Sequence, residues 1–133
     1  MAFTAADRTA ITELIAWHGH LVDSGALDRL GEVFADDVVY DVTDLGGAPL
    51  HGLTAMRDAA YALGDRNPVG HHVTNTVLTE AGDDRARAVS KFLGVRADGT
   101  CGSGTYEDTV ERGPSGWRIT HRRILARRAP LGG

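Results

Sequence analysis

The chain has few of the features that mark secreted or membrane proteins. Its 133 residues include one cysteine, Cys101, which excludes an internal disulfide and cannot build a zinc site by itself. No apolar stretch approaches the length of a membrane span, and the amino terminus has no basic region followed by an apolar block. We therefore expect a cytoplasmic protein that has no membrane partner.

The chain also lacks the basic excess of a nucleic-acid-binding protein. Lysine and arginine total 14 against 18 acidic residues, which gives a net charge of −4. This balance argues against nucleic acid as a main partner. The segment HRRILARR, residues 121–128, concentrates positive charge, and a solvated strand end is the favoured interpretation over a binding patch.

Several catalytic motifs are absent as well. The segment GSGTYE lacks the strand-loop-helix context and the lysine of a phosphate-binding loop, and no Gly-x-Ser-x-Gly elbow is present. His71, His72 and Asp23 could supply metal ligands, but neighbouring residues of a strand point in opposite directions. The sequence predicts neither a metal site nor a cofactor.

The composition is that of an ordinary globular protein, with 42% hydrophobic and 24% charged residues, and it predicts a single domain over residues 1–133. A long amphipathic helix begins after Thr4, with Asp7 at the capping-box position, and ends at Ser24-Gly25. A short second helix is predicted over residues 26–34, with Leu27, Leu30 and Phe34 facing inward. A strand follows over 36–43, and a third helix ends at Gly64.

After Gly70 the pattern changes to long strands. Four strands are predicted over residues 71–80, 85–96, 100–112 and 116–128, separated by the turn segments AGDD, ADG and GPSG. Helices followed by an antiparallel meander indicate an α+β fold. If the sheet is strongly curved, the helices and the sheet enclose a cavity.

The segment HHVTNTVLTE places two histidines at the start of a strand. Strict alternation puts His71, Val73, Asn75 and Val77 on one face, and His72 on the other face together with Thr74, Thr76 and Leu78. The first set combines valines with functional polar groups, as the wall of a mixed pocket would. We therefore predict that His71 faces inward.

Other polar residues are ambiguous from spacing alone. His18 lies on the apolar stripe of the first helix, where a core histidine with a hydrogen-bond partner is favoured over a pocket residue. A helical wheel places Asp23 roughly 130° from the centre of that stripe, which indicates a surface or helix-end carboxylate. Trp117 and Ile119 are predicted core residues, and only one of His121 and Arg122 can face inward.

The order and spacing of several segments resemble the SnoaL-like branch of the nuclear transport factor 2-like superfamily. They are LVDSGALDRLGEVFADDVVYDV, HHVTN, GDDRARAVSKF, GSGTYEDTVER and GWRITHRR, between about Ala6 and Arg123. The resemblance implies an α+β cone, in which three helices of the amino-terminal half pack on a curved, mostly antiparallel sheet around a pocket. It implies one SnoaL-like domain.

Within the superfamily the pattern is most similar to the group of hexachlorocyclohexane dehydrochlorinase and scytalone dehydratase. That resemblance implies catalytic roles for Asp23, His71 and Arg122, and it adds substrate contacts. The predicted substrate contacts are His18, Asn75, Phe92, Tyr106, Trp17 and Val73. The sequence departs from scytalone dehydratase, because RARAVSKFLGVR contains no second histidine.

The implied chemistry is proton abstraction by a His-Asp dyad, followed by elimination, isomerisation or cyclisation of a small hydrophobic, cyclic substrate. An unperturbed histidine titrates near ~6.5, so histidine suits the role of base. The enzyme would be a dehydratase- or dehydrochlorinase-like lyase, or a ketosteroid-isomerase-like isomerase. The alternative is a non-catalytic ligand-binding or assembly module of the same fold. We expect a homo-oligomer, a dimer or a trimer.

Overall fold

The computed structural model describes residues 3–132, which form an α+β domain. Two α-helices and a 3₁₀ helix pack against a six-stranded sheet, in agreement with the predicted architecture. The helices are α1 (Ala5–Asp23), the 3₁₀ helix (Leu27–Glu32) and α2 (Leu53–Leu63). The strands are β1 (Phe34–Asp41), β2 (Leu50–His51), β3 (Gly70–Glu80), β4 (Arg85–Val95), β5 (Cys101–Gly113) and β6 (Gly116–Arg127).

The start of α1 is fixed by the predicted capping box. The Asp7 backbone N–H donates to the Thr4 side chain, and the Asp7 carboxylate accepts from the Thr4 backbone N–H. The same carboxylate accepts from Arg112 on β5 at 2.8 Å and from Trp117 on β6 at 3.2 Å. The Thr4 N–H is the main reason that the pKa of Asp7 falls to about 2, with Trp117 and Arg112 adding to it. The cap therefore also ties the helix to the sheet.

The sheet has the order β2-β1-β6-β5-β4-β3 and is antiparallel except where β1 runs parallel to β6. It is curved, and α1 packs against β3 and β6. Fully buried apolar side chains fill the space between helix and sheet; they are Ile11, Ile15, Phe34, Val38, Val110 and Ile119. No helix within residues 3–132 is long and apolar enough to cross a membrane.

A β-bulge in β3 overturns part of the predicted face alternation. Asn75 has a φ of 57°, and the register with β4 shifts between Thr74 and Val77. Beyond the bulge the faces exchange, so Thr76 points inward and bonds to Ser90 at 2.9 Å, while Val77 is 59% exposed. The prediction that Asn75 and Val77 line the interior is therefore wrong.

A second irregularity decides between His121 and Arg122. The register of β5 and β6 shifts between Thr109 and Val110, so Ile119 and Arg122 are both fully buried although they are three residues apart. The predicted core positions of Trp117 and Ile119 are confirmed. The predicted second helix is shorter than expected, because Phe34 already belongs to β1, and the short strand β2 was not predicted.

Candidate active site

Asp23 and His71 meet where the end of α1 lies against the start of β3. Asp23 Oδ1 is 2.5 Å from His71 Nδ1, and Asp23 Oδ2 accepts the His71 backbone N–H at 2.9 Å. Because an ionised carboxylate only accepts, Nδ1 carries the hydrogen and Nε2 of a neutral ring is unprotonated. The two side chains keep 14% (His71) and 26% (Asp23) exposure, so the dyad is open to solvent, while His72 is exposed on the other side of the strand.

Gly19 brings the helix close enough to β3 for this contact. A Cβ atom on Gly19 would lie 2.8 Å from the His71 carbonyl oxygen and 3.1 Å from the His71 Cβ. Any side chain here would push the strand away from the helix. In the sequence, this close approach is indicated by the glycine of WHGH, because glycine is otherwise unfavourable in the middle of a helix.

Gly19→Ala should therefore separate Asp23 from His71. Alanine gains about 1 kcal/mol of helix propensity, but overpacking against backbone typically costs ~1–3 kcal/mol, so we expect a net loss of stability in urea unfolding. Gly113→Ala is the control, because a Cβ on Gly113 meets nothing within 4 Å. Equal stability of the two variants would show that the close approach at Gly19 is unimportant.

Deeper in the fold, Arg122 and Asp108 form a buried ion pair. They are direct neighbours on β6 and β5, and the carboxylate accepts from Nε at 2.7 Å and from Nη2 at 2.9 Å. Both side chains are fully buried, and the guanidinium carbon lies 3.9 Å from the centre of the Tyr106 ring. Burial acts to lower the pKa of Arg122, but Asp108 holds it above its ordinary value.

This geometry bears on the predicted catalytic role of Arg122. The guanidinium is fully buried and paired with Asp108, so no part of it is exposed to solvent in this structure. Beyond Asp108 it contacts Tyr40 through a side-chain hydrogen bond and His18, whose Nδ1 lies 2.9 Å from Arg122 Nη1. Arg122 is therefore placed to hold the His18 ring in its observed orientation.

His18 lies between the Arg122–Asp108 ion pair and the Asp23–His71 dyad. Its ring centre lies 6.0 Å from that of His71, and the side chain is almost completely buried. Burial is the main reason that the pKa of His18 is well below 6.5, and the charges of Arg122 and of a protonated His71 lower it further. His18 is thus a neutral imidazole at the edge of the site.

Aromatic rings complete the inner wall. The Phe92 and Tyr106 rings stack with centres 4.5 Å apart and 13° between their planes, over Gly104, where a Cβ would collide with Phe92. The Tyr40 ring lies 6.1 Å from that of His18. Burial raises the pKa of both Tyr40 and Tyr106, so both hydroxyls stay protonated. Val73 is half-buried on the same face as His71.

Two predicted substrate contacts lie elsewhere. Trp17 is 49% exposed and its ring contacts His20, which is also exposed. Asn75 is exposed at the bulge of β3. The helical wheel explains the first error, because Trp17 is one position before the inward-facing His18 and points about 100° away from it.

Asp108 and Tyr40 were missed as site residues. Asp108 shares the inward face of β5 with Gly104 and Tyr106, and that alternation was the available signal. Nothing in the sequence of β1 marked Tyr40. Within residues 3–132 no group of three or more histidine, cysteine, aspartate or glutamate residues is arranged to hold a metal ion.

Two surface concavities are separate from the dyad. One, of about 310 Å³, lies on the outer face of the sheet beside Val77, Val89 and Glu107, and another, of about 300 Å³, lies beside Gly31 and Arg118. Neither is lined by Asp23, His18 or His71.

Comparison with known proteins agrees with this architecture. The sequence profile of the SnoaL-like domain matches residues 4–123, whereas no curated protein matches the chain significantly. An NTF2-like protein with a cystatin-like fold from Novosphingobium aromaticivorans is 32% identical, with a TM-score of 0.77 over 95% of this chain and 85% of that one.

Two further solved structures are similar over most of their length. A candidate aromatic ring hydroxylase from the same organism is 27% identical, with a TM-score of 0.81 over 95% of this chain and 92% of that one. LinA is 22% identical, with a TM-score of 0.80 over 96% of this chain and 91% of that one, and this likeness concerns the fold alone. With the profile spanning most of its length, the chain belongs to the SnoaL-like domain family.

Proposed function

We propose that the protein is a cofactor-independent acid–base enzyme in which His71 removes a proton from carbon in a small hydrophobic, cyclic substrate. The observation that carries the proposal is the double contact of Asp23 with the ring and the backbone N–H of His71. It fixes both the tautomer and the orientation of the imidazole. A surface carboxylate that only needed hydrogen-bond partners could take them from water and would not need both of these contacts to one histidine.

The reaction follows from this arrangement. His71 Nε2 takes the proton, and the electron pair of the broken C–H bond moves into the substrate. Asp23 stabilises the imidazolium that forms. In an elimination the electron pair expels a leaving group from the neighbouring carbon; in an isomerisation His71 returns the proton to another carbon. Both are lyase or isomerase chemistry, and neither step requires an electron acceptor.

Asp23→Asn tests the proposal. The amide cannot accept from both His71 N–H groups as the carboxylate does, so the tautomer is no longer enforced and turnover should fall strongly. The assay incubates the protein with 3-hydroxycyclohexanone, cyclohex-3-en-1-one and chlorocyclohexane in D₂O, and follows deuterium incorporation and products by proton NMR. Asp28→Asn is the control, since Asp28 is an exposed carboxylate in the 3₁₀ helix.

Unchanged turnover in Asp23→Asn would remove the dyad from the mechanism. A wild-type protein that neither exchanges a C–H hydrogen of these compounds nor forms an elimination or isomerisation product from them would favour the second candidate, a non-catalytic ligand-binding or assembly module. The observation on that side is that neither of the two described concavities is lined by Asp23, His18 or His71.

A further inference from the structure

We propose that His18 is a catalytic hydrogen-bond donor: its Nε2–H binds the carbonyl oxygen of the substrate while His71 removes the hydrogen of the adjacent carbon. The substrate class is then enolisable carbonyl compounds rather than haloalkanes. This inference rests on the proposed function and names the substrate of that same site.

The tautomer of His18 follows from its partner. Arginine only donates, so the 2.9 Å contact between Arg122 Nη1 and His18 Nδ1 requires Nδ1 to accept. Arg122 cannot turn away, because Asp108 binds its Nε and Nη2. The hydrogen of a neutral His18 must therefore lie on Nε2. His18 and His71 thus hold opposite tautomers, one presenting N–H and the other a lone pair.

The Nε2 atom of His18 is available to a ligand. No buried side-chain nitrogen or oxygen in the described part of the chain lacks a hydrogen-bond partner, and the described contacts of His18 use Nδ1 alone. Nε2 is therefore not sealed into the core. The ring centres of His18 and His71 are 6.0 Å apart, and the α-carbon and the oxygen of a ketone are separated by a single carbon, so one carbonyl compound can address both rings.

The charges favour an oxyanion over a halide. In the proposed step the C–H bond breaks, its electron pair forms the C=C bond of an enolate, and the negative charge moves to oxygen, where His18 Nε2–H stabilises it. The cation that could hold a halide, Arg122, is buried against Asp108. The titratable groups that face His18 are His71 on β3, Arg122 on β6, Asp108 and Tyr106 on β5, and Tyr40 on β1.

Nitrogen-15 NMR of the histidine-labelled protein tests this directly. We expect Nδ1 of His18 to be unprotonated and Nε2 protonated, unchanged as the pH falls from 7 through the ordinary titration range of histidine near ~6.5. Adding 4-nitrophenolate, a cyclic oxyanion, should shift the His18 Nε2–H signal, and sodium chloride should not. A protonated Nδ1, an Nε2–H signal that ignores the phenolate, or one that responds to chloride alone would overturn the inference.

Variants separate this role from packing. His18→Phe keeps an aromatic ring beside Phe34 but removes the donor, and it should lower kcat on the ketones about 10²–10³-fold with little change in KM. His18→Gln keeps an N–H and should recover part of the loss, while His20→Phe on the exposed face of α1 should have no effect. Full activity of folded His18→Phe would contradict the proposal.

Different results would contradict the proton-abstraction reaction of His71 and the donor role of His18. If no carbonyl compound is turned over but the NMR shows Nε2–H of His18 responding to the phenolate, the site binds oxyanions and the proposed reaction is wrong. If the ketones react and Tyr40→Phe, rather than His18→Phe, carries the loss, the reaction stands and His18 is not the donor.

Discussion

His71→Gln should lower the turnover of an enolisable ketone by about 10²–10⁴-fold, the range expected when a positioned base is lost. Glutamine can still accept or donate a hydrogen bond at Asp23, and the His71 side chain keeps only 14% exposure, so the change removes the base with a small change in packing. The measurement is deuterium incorporation into the substrate, followed by proton NMR, beside a urea unfolding curve to show that the variant is folded.

His72→Gln is the matched control. His72 is the next residue of β3, is exposed and points to the opposite side of the sheet. Equal losses in the two variants would mean that neither histidine is the base and that both changes act through the strand. A full loss in His72→Gln alone would reverse the assignment.

Arg122→Met should lower the free energy of unfolding by about 3–5 kcal/mol, because it leaves the Asp108 carboxylate charged and unpaired in the core. The Asp108 side chain is fully buried, so water does not stabilise its charge. The Arg122 guanidinium donates both of the side-chain hydrogen bonds that this carboxylate accepts. Unfolding in urea, monitored by circular dichroism, measures the change.

The adjacent residues of the same strands provide the control. Arg123 and Glu107 pair at 3.8 Å with about half of each side chain exposed, so Arg123→Met should cost roughly 0–1 kcal/mol. The double variant Arg122→Met, Asp108→Leu should recover much of the loss, because it removes both buried charges. A cost for Arg122→Met as small as that for Arg123→Met would show that the buried pair does not contribute to stability.

Local signals predicted most of the fold. The capping box at Thr4 and Asp7, the turn segments between the long strands, and Gly64 at the end of α2 each act over a few residues, so the sequence alone places them well. The alternation of β3 also placed His71 inward and His72 outward. It failed from Asn75 onward, because a bulge changes the face of every later residue and depends on pairing with β4.

The site itself depends on contacts that the sequence does not show. Asp23 is outside the apolar stripe of α1 on a helical wheel, but it is the last residue of the helix and lies against β3. Family resemblance placed Asp23 in the site, whereas spacing alone did not. Asp108 becomes the partner of Arg122 only through the register of β5 and β6, which contains an irregularity at Thr109. Spacing along one strand could not supply that pairing.

The role of His71 as the base is tested most directly by its tautomer, measured by nitrogen-15 NMR in the wild type and in Asp23→Asn. We predict that Nδ1 of the neutral ring carries the hydrogen and Nε2 does not, and that this preference is lost when the carboxylate becomes an amide. A neutral His71 that carries its hydrogen on Nε2, or a tautomer that is the same in both proteins, would contradict the assignment of His71 as a base held by Asp23.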